Sequence, residues 1–217
     1  MNRGPAISTN RTDVRYAAGV AIPVQESLFD VSDRRQLGDG AWLDVRPNWL
    51  SEGAGLAGEL QHAVPWRAER RRMYDRVLDV PRLVSFHDLT VEHPPHPAIA
   101  RLRRRLNDIY AGELGEPFTT VGLCLYRDGD DSVAWHGDTL GRGATADTMV
   151  AIVSVGATRT FALRPRGGGA ALRLSQHHGD LLVMGGSCQR TWEHSIPKTA
   201  TPTGPRISIQ FRPRGVR

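Results

Sequence analysis

Residues 206–212 of this 217-residue chain, RISIQFR, alternate polar and apolar side chains along their whole length. Side chains two residues apart in a strand point to the same face, so the alternation predicts a strand with one core face and one pocket face. The apolar face would carry Ile207, Ile209 and Phe211, and the polar face Arg206, Ser208, Gln210 and Arg212. Six residues of strand separate the two arginine backbones by about 20 Å, which leaves a gap of small-molecule size between their side chains. Guanidinium groups bind carboxylates in a bidentate manner, so a dicarboxylate suits this gap.

Short strand patterns continue outward from this segment through the C-terminal half of the chain. Turn signals separate them at Asp128-Gly129, at residues 166–169 and at Gly185-Gly186. The predicted strands cover residues 118–127, 132–137, 148–155, 159–164, 170–174, 180–184, 189–194 and 206–212. Eight short strands favour a closed antiparallel double sheet of the jelly-roll or cupin-like type, whose mouth can hold a metal and a small ligand.

The N-terminal half of the chain predicts helices. Apolar residues recur at helical spacing within residues 51–65 and again within residues 97–114. We expect both helices to buttress one sheet, which gives an α+β, mainly β, fold class with a double-stranded β-helix core. Residues 1–44 have no strong period and are expected to form a loosely ordered extension before a single domain at residues 45–217.

A metal site is indicated by His136-Gly137-Asp138. His136 and Asp138 are two residues apart, so both side chains can bind one ion from the end of a strand. Two histidines and one carboxylate form a facial triad that leaves three coordination positions open, as Fe(II) chemistry with oxygen and a chelating co-substrate requires. His194 is the expected third ligand.

A second motif of the same form, His178-Gly179-Asp180, competes with the first. Asp138 and His194 are 56 positions apart, which leaves room for about four strands with turns, whereas Asp180 and His194 are only 14 positions apart. The shorter span allows little more than one hairpin. The second motif is therefore interpreted as a turn that opens the apolar run at residues 181–184.

The composition is that of an ordinary globular protein, with 40% apolar and 24% charged residues. The net charge of +5 suits a polyanionic partner, although Lys198 is the only lysine and an arginine-rich chain is also typical of a GC-biased genome.

Cys124 and Cys188 lie 64 residues apart without a CxxC motif, which argues against a disulfide framework and a zinc site. The first ten residues have no apolar signal-peptide core and no run approaches the length of a membrane span. We expect a soluble, cytoplasmic monomer with reduced thiols.

Together these motifs resemble the AlkB-like Fe(II)/2-oxoglutarate dioxygenases, which oxidatively dealkylate nucleic-acid bases. The resemblance covers roughly residues 45–213. Besides RISIQFR it includes PRL at 81–83, LYRDG at 125–129, DSVAWHGD at 131–138, GATRTF at 156–161, GDLLVMGG at 179–186 and WEHSIPK at 192–198. It implies an enzyme that uses Fe(II), 2-oxoglutarate and O2.

The resemblance also implies roles for individual residues. Fe(II) would be bound by His136, Asp138 and His194, and 2-oxoglutarate by Arg206 and Arg212 at its two ends, with a hydroxyl contact from Tyr126. Phe86 and His87 would lie near a displaced base, against which an aromatic ring can stack. Trp192, two residues before His194, is a further candidate for the substrate side of the pocket.

Two positions depart from the family pattern. Where the family usually has Asn-x-Tyr, this chain has Cys124-Leu125-Tyr126, so the co-substrate position 124 offers a weak thiol donor in place of an amide. Family members often carry an acidic residue just after HxD that can read the exocyclic amino group of the base. Here that stretch is Thr139-Leu140-Gly141-Arg142.

The expected activity is oxidative dealkylation of N-alkylated bases in DNA or RNA, in the manner of DNA repair, coupled to decarboxylation of 2-oxoglutarate to succinate. An alkylated base pairs weakly and is therefore easier to extrude into a pocket than a normal one. One alternative is a 2-oxoglutarate-dependent hydroxylase of a protein or small molecule on the same fold. Another is a catalytically silent protein that binds lesions.

A possible partner contact lies in the N-terminal extension. Residues 25–29, QESLF, resemble the QxxLF pentapeptide by which many bacterial replication and repair proteins dock on the sliding clamp. Gln25, Leu28 and Phe29 would make that contact, and tethering would raise the local concentration of the protein at DNA. The alternative is that Leu28 and Phe29 pack on the protein's own core.

Overall fold

The computed structural model describes residues 32–50, 55–73 and 76–216, together with Met1 and Gly53. Its strands are β1 (Asp33–Gly38), β2 (Ala41–Arg46), β3 (Arg67–Met73), β4 (Arg76–Asp88), β5 (Phe118–Tyr126), β6 (Val133–His136), β7 (Val150–Gly156), β8 (Arg159–Pro165), β9 (Leu172–Gln176), β10 (Leu181–Gly186), β11 (Trp192–Ile196) and β12 (Arg206–Pro213). Its helices are α1 (Leu56–Ala63), α2 (Pro97–Leu114) and the short α3 (Cys188–Thr191). Among these described helices, none combines the length and apolar character needed to cross a membrane.

The strands form two antiparallel sheets. The larger sheet has eight strands in the order β1-β2-β10-β7-β12-β5-β4-β3, and the smaller has four in the order β6-β11-β8-β9. Neighbours in the sheets are mostly distant in sequence, as in β12, which pairs with β5 on one side and β7 on the other. This architecture confirms the predicted mainly β double sheet.

Two apolar layers hold the fold together. One lies between the larger sheet and helices α1 and α2, and it receives Ile207, Ile209 and Phe211 from β12. The other lies between the two sheets and contains Leu43, Tyr126, Phe161, Leu163, Leu182 and Met184. Because side chains alternate along a strand, the polar face of β12 points into the space between the sheets.

Helix α2 has clear start and stop signals. His96 caps its N-terminus, with Nδ1 accepting a hydrogen bond from the Ala98 backbone N–H at 3.3 Å, and Pro97 occupies the first turn. Gly115 ends the helix in the left-handed conformation at φ 78°. The buried stripe of Ala98, Ile99, Leu102, Leu106 and Tyr110 packs the helix on the larger sheet.

The predicted boundary near residue 44 is too late, because β1 and β2 already belong to the larger sheet. Asp44 obscures the strand pattern of β2: its carboxylate is buried and accepts hydrogen bonds from Tyr110 Oη at 2.7 Å and Ser32 Oγ at 2.8 Å. A charged residue with partners elsewhere in the fold looks like a loop residue in sequence. The candidate clamp segment with Gln25, Leu28 and Phe29 lies outside the described residues.

Two other predicted elements change. The strand expected at 189–194 begins only at Trp192, because α3 occupies the residues before it. The strand expected at 170–174 lies at Leu172–Gln176, after the glycine turn. Phe86 and His87, for which the sequence predicted no element, belong to β4, which forms a hairpin with β3 at the edge of the larger sheet.

Candidate active site

The first HxD motif and the distal histidine meet at one end of the smaller sheet. His136 is the last residue of β6 and pairs directly with His194 of β11, so their ring centroids lie 4.2 Å apart. Asp138 follows two residues later, and one potential ligand atom from each of the three side chains lies within 4.8 Å of the others. Both Asp138 and His194 are buried. Among the described residues this is the one His, Cys, Asp and Glu cluster that could hold a metal ion.

Gly137 allows the chain to pass this point. A Cβ atom there would lie 2.4 Å from the Gln189 backbone oxygen and 2.8 Å from Arg166 Nη2, so only glycine fits without rearrangement. The backbone N–H of Asp138 donates to Gln189 Oε1 at 2.8 Å. Gln189, at the start of α3, therefore fixes the strand end that presents the carboxylate.

The protonation states of the triad suit a divalent metal. Burial lowers the pKa of His194 to about 3 and also lowers the pKa of His136. Burial alone would raise the pKa of Asp138, but the charge of Arg212, its hydrogen bond to the carboxylate and the two histidines together outweigh burial and bring that pKa to about 2. Neutral histidines and an ionised carboxylate are the forms that bind metal.

The orientation of His136 also suits a metal. Its Nδ1 lies 2.8 Å from the Ala134 carbonyl oxygen, which can only accept, so Nδ1 carries the hydrogen and Nε2 keeps its lone pair. The ring of His194 stacks on Phe161 at a centroid distance of 5.5 Å. Two imidazoles and one carboxylate are a donor set that fits Fe(II).

The second HxD motif forms a turn, in agreement with its interpretation from the sequence. Asp180 accepts hydrogen bonds from the backbone N–H groups of Asn48 at 3.0 Å and His177 at 2.8 Å. Gly179, between His178 and Asp180, adopts a φ of 87°, where glycine is favoured. His178 Nδ1 accepts from the Gly156 backbone, so the two side chains of the motif serve different neighbours.

Arg212 contacts the triad rather than an open space. Its Nε donates to Asp138 Oδ2 at 2.8 Å, and its Nη2 donates to Gln210 Oε1 at 2.7 Å. The guanidinium lies over Gly122, where an added Cβ would be 3.0 Å from Nη1. The buried carboxylate of Asp138 needs a counter-charge, and Arg212 supplies it. These contacts differ from the expected role at one end of 2-oxoglutarate.

Arg206, by contrast, has unused donors. It is only 1% exposed and donates from Nη2 to Ser154 Oγ at 2.8 Å, while Nε and Nη1 have no hydrogen-bond partner among the described residues. Burial lowers the pKa of its guanidinium and raises that of the Tyr126 hydroxyl beside it. A buried cation with two free donor atoms is the group that a carboxylate would satisfy. The site therefore fits one end of 2-oxoglutarate.

The floor of the pocket between these arginines comes from two paired strands. Tyr126 lies opposite Arg206, and Cys124 opposite Ser208, so the expected co-substrate residues share one face. Cys124 and Cys188 are both free and buried, as expected for reduced thiols. Gln210, also on this face, donates from Nε2 to Ser208 Oγ at 3.1 Å and reaches Cys124 Sγ at 3.6 Å.

The residues expected to contact substrate are divided between two faces. Phe86 of β4 pairs with Gly122, which pairs in turn with Gln210, so Phe86 stands on the pocket face and is 47% exposed. His87 points the other way, where it contacts Ser85 Oγ at 2.9 Å and Glu92 at 3.4 Å. This placement corrects the expectation for His87, because neighbouring residues of a strand cannot share a face.

Trp192 remains a candidate for the substrate side. It is half-buried and packs against the apolar layer between the sheets, on the same strand face as His194. Leu140, in the stretch where an acidic residue is common, is 69% exposed.

Three site residues had no role in the sequence interpretation. Gln189 lay within a predicted strand, and only the fold brings it to Asp138. Gln210 was placed on the polar face of β12 but had no partner there. Arg82 lies on the pocket face of β4, one residue before the Leu83–Leu125 pair, with its Nε buried and without a partner in the described chain.

The comparisons with known proteins agree with this geometry. The family described as the 2OG-Fe(II) oxygenase superfamily matches residues 59–212. The human alpha-ketoglutarate-dependent dioxygenase alkB homolog 3 is 31% identical over 202 residues, which cover 80% of this chain and 66% of that protein. The human DNA oxidative demethylase ALKBH2 is 33% identical over 136 residues, or 59% and 51% of the two chains. This chain therefore spans slightly less than two thirds of the AlkB homolog 3 protein and about half of ALKBH2.

Solved structures share the fold at low identity. The structure of OsALKBH1 matches with a TM-score of 0.56 at 13% identity, over 83% of this chain and 100% of the other. A crystal structure of a 2OG-Fe(II) oxygenase family oxidoreductase from Burkholderia pseudomallei matches with a TM-score of 0.55 at 16% identity, over 80% and 86%.

Proposed function

The chain belongs to the 2OG-Fe(II) oxygenase superfamily, and we propose that it removes alkyl groups from the nitrogen atoms of nucleic-acid bases, in the first place in DNA. Within this proposal, His136, Asp138 and His194 hold Fe(II), which when bound supplies the activation of O2. One oxygen atom enters succinate, formed from 2-oxoglutarate with loss of CO2, and the other enters the alkyl carbon. The hydroxylated carbon leaves as an aldehyde, and the base regains its N–H.

The protein's own residues hold the reactants in place. Arg206 binds one carboxylate of 2-oxoglutarate through Nε and Nη1, which lack partners in the described chain. Tyr126, opposite Arg206 on β5, offers its hydroxyl on the same face. Arg212 keeps Asp138 ionised and oriented, and Gln189 holds the backbone of that residue.

The observation that carries the choice of substrate is the position of Phe86. It is a half-exposed aromatic side chain on the sheet face that bears the arginines, separated from Gln210 by the bare backbone of Gly122. A planar base that reached the exposed ring of Phe86 could stack on it, an interaction of about 1 to 3 kcal/mol. The relatives described as a DNA oxidative demethylase and an AlkB homologue support the same substrate class.

The arginines of the β3–β4 hairpin supply a route for the nucleic-acid backbone. The seven residues of β3, RAERRRM, include four arginines, and β3 is an edge strand next to the strand that carries Phe86. With a net charge of +5, the chain favours phosphate neutralisation without sequence-specific contacts.

The test is succinate formation that depends on an alkylated base. The protein with Fe(II), O2 and 2-oxoglutarate is incubated with single- and double-stranded oligonucleotides that contain one N-methylated or cyclic adduct, and mass spectrometry follows the loss of the alkyl group. Matched unmodified oligonucleotides and the Asp138→Asn variant serve as controls. We expect dealkylation coupled to succinate. Succinate formed only with peptides or small molecules would overturn the substrate class and favour the hydroxylase alternative.

A further inference from the structure

We infer that Gln210 is a co-substrate-binding residue, which supplies to 2-oxoglutarate the amide N–H donor that Cys124 does not provide. This inference rests on the proposed use of 2-oxoglutarate in the pocket, and it concerns two positions of this chain that compensate each other. Position 124 carries the thiol, and position 210 carries the only amide on the pocket face of β12.

The position of Gln210 is between the two arginines. On the pocket face of β12 the side chains follow in the order Arg206, Ser208, Gln210 and Arg212, and Gln210 lies next to the residue that contacts Asp138. A molecule bound to the free donors of Arg206 and extending toward the triad must therefore pass Ser208 and Gln210. Gln210 is half-buried, so its amide is still accessible from the pocket.

The orientation of the amide follows from its partners. Oε1 accepts from Arg212 Nη2 at 2.7 Å, and a guanidinium can only donate, so the NH2 group must point the other way. There Nε2 donates one hydrogen to Ser208 Oγ at 3.1 Å, and the other points toward Cys124 Sγ at 3.6 Å. Arg212 thus holds the amide with its donor toward position 124.

The contact with Cys124 is the one that a ligand can replace. A thiol sulfur is a weak acceptor, whereas a carboxylate accepts a charge-assisted hydrogen bond that is about twice as strong as a neutral one. Redirecting this single hydrogen leaves the bonds of Gln210 to Ser208 and Arg212 intact. The amide would therefore bind the end of 2-oxoglutarate nearer the metal, and Arg206 the other end.

The experiment measures 2-oxoglutarate binding by calorimetry on the full chain loaded with Mn(II), so that no turnover or nucleic acid is needed. Gln210→Leu removes the amide. Gln210→Glu keeps an acceptor for Arg212 but places an acceptor where the donor was. Gln36→Leu makes the same change at an exposed position of β1. Mn(II) affinity and the melting temperature are measured for each variant.

We expect Gln210→Leu and Gln210→Glu each to weaken 2-oxoglutarate binding by about tenfold or more. Mn(II) affinity in Gln210→Glu should stay within about twofold, because Arg212 keeps its partner. Cys124→Asn should restore most of the lost affinity in the Gln210→Leu background and change the wild type little, since one amide donor is already present. Gln36→Leu should bind like the wild type.

Three results would overturn the inference. The first is unchanged 2-oxoglutarate affinity in both position-210 variants. The second is a parallel loss of Mn(II) affinity and melting temperature in Gln210→Glu, which would mean that Gln210 acts only through Arg212. The third is failure of Cys124→Asn to restore binding to a folded Gln210→Leu protein. A wild-type protein that binds no 2-oxoglutarate would instead contradict the proposed function.

Discussion

Asp138 makes contacts through both its side chain and its backbone. Its buried carboxylate faces two imidazoles and accepts a hydrogen bond from Arg212 through Oδ2, and its backbone N–H donates to Gln189 Oε1. Removing its charge leaves Arg212 as an unpaired buried cation and the metal without an anionic ligand. The residue therefore offers the sharpest test of the metal site.

We expect Asp138→Asn to lower Mn(II) affinity by more than about a hundredfold, because loss even of a residue outside the ligand set costs 10- to 100-fold. Asp180→Asn makes the same change in the other HxD motif, also at a buried aspartate, and should bind Mn(II) nearly as the wild type does. Titration followed by electron paramagnetic resonance measures both. Loss of Mn(II) binding in a folded Asp180→Asn variant would refute the assigned triad.

The two arginines of β12 should respond differently to the same substitution. Arg212→Lys loses the Nε donor to Asp138, so we expect Mn(II) affinity to fall by about 10- to 100-fold. Arg206→Lys loses the planar fork, so we expect weaker 2-oxoglutarate binding with unchanged Mn(II) affinity. Calorimetry with each ligand separates the two effects. If Arg212→Lys weakened 2-oxoglutarate alone, Arg212 would have the role that the family resemblance implies.

Residue roles could be predicted where the pattern is local. His136 and Asp138 stand at strand spacing, and the alternation of RISIQFR gave the pocket face of β12. The contact of Arg212 with Asp138 could not be predicted, because its partner is 74 residues away and only the fold selects it. His87 is different: strand alternation already excludes that both Phe86 and His87 face one pocket, so that expectation was avoidable.

At the scale of elements, β12 could be predicted from its alternation of polar and apolar residues, whereas β1 and β2 lack that alternation. β12 pairs on both sides, and its apolar face packs on the helices, so its sequence alternates. β1 is an edge strand with mostly exposed residues, and β2 carries the buried Asp44 in its centre. Edge strands and strands with satisfied buried charges lack the alternation that marks a strand.

Among the elements of the fold, we expect the β3–β4 hairpin to contribute most to the salt dependence of nucleic-acid binding. We expect Arg71→Ser with Arg72→Ser to weaken binding of a single-stranded oligonucleotide and to reduce the slope of log K against log salt by about 1.4, since each phosphate contact contributes about 0.7. Arg101→Ser with Arg104→Ser removes the same charge from α2. Fluorescence anisotropy at several salt concentrations compares the two pairs. Equal slopes for both variants would remove the hairpin from the nucleic-acid interface.

At the scale of the whole molecule, the double sheet and the helices on one side of it follow from counting strands and apolar periods. The strand order does not, because β12 inserts between β5 and β7, and β10 between β7 and β2. These pairings join segments far apart in the chain, and a local pattern carries no information about its partner. The active site lies where such pairings meet, as at the His136–His194 pair.

Arg206 and Arg159 allow a test of what a buried charge contributes to folding. Arg159 is buried too, but it donates to three carbonyl oxygens, of Asp128, Asp131 and Pro197, at 2.7 to 2.8 Å. We expect Arg206→Met to raise the free energy of unfolding of the ligand-free protein by about 1 kcal/mol or more, and Arg159→Met to lower it by about 1 to 3 kcal/mol. Urea denaturation measures both. If Arg206→Met instead lowered the free energy of unfolding, the unpaired donors of Arg206 would not destabilise the ligand-free wild-type protein.

Because Arg206 Nε and Nη1 have no hydrogen-bond partner among the described residues, we expect the lifetime of the folded chain to depend on the concentration of 2-oxoglutarate. A ligand that binds only the folded state stabilises it by about 2.7 kcal/mol at a hundred times its dissociation constant, and a carboxylate bound to Arg206 would also pair a buried charge. The population of unfolded chains that a protease can cleave should therefore fall as the concentration of 2-oxoglutarate rises. We expect limited proteolysis to slow with 2-oxoglutarate concentration, so that the abundance of the protein follows the supply of its own co-substrate.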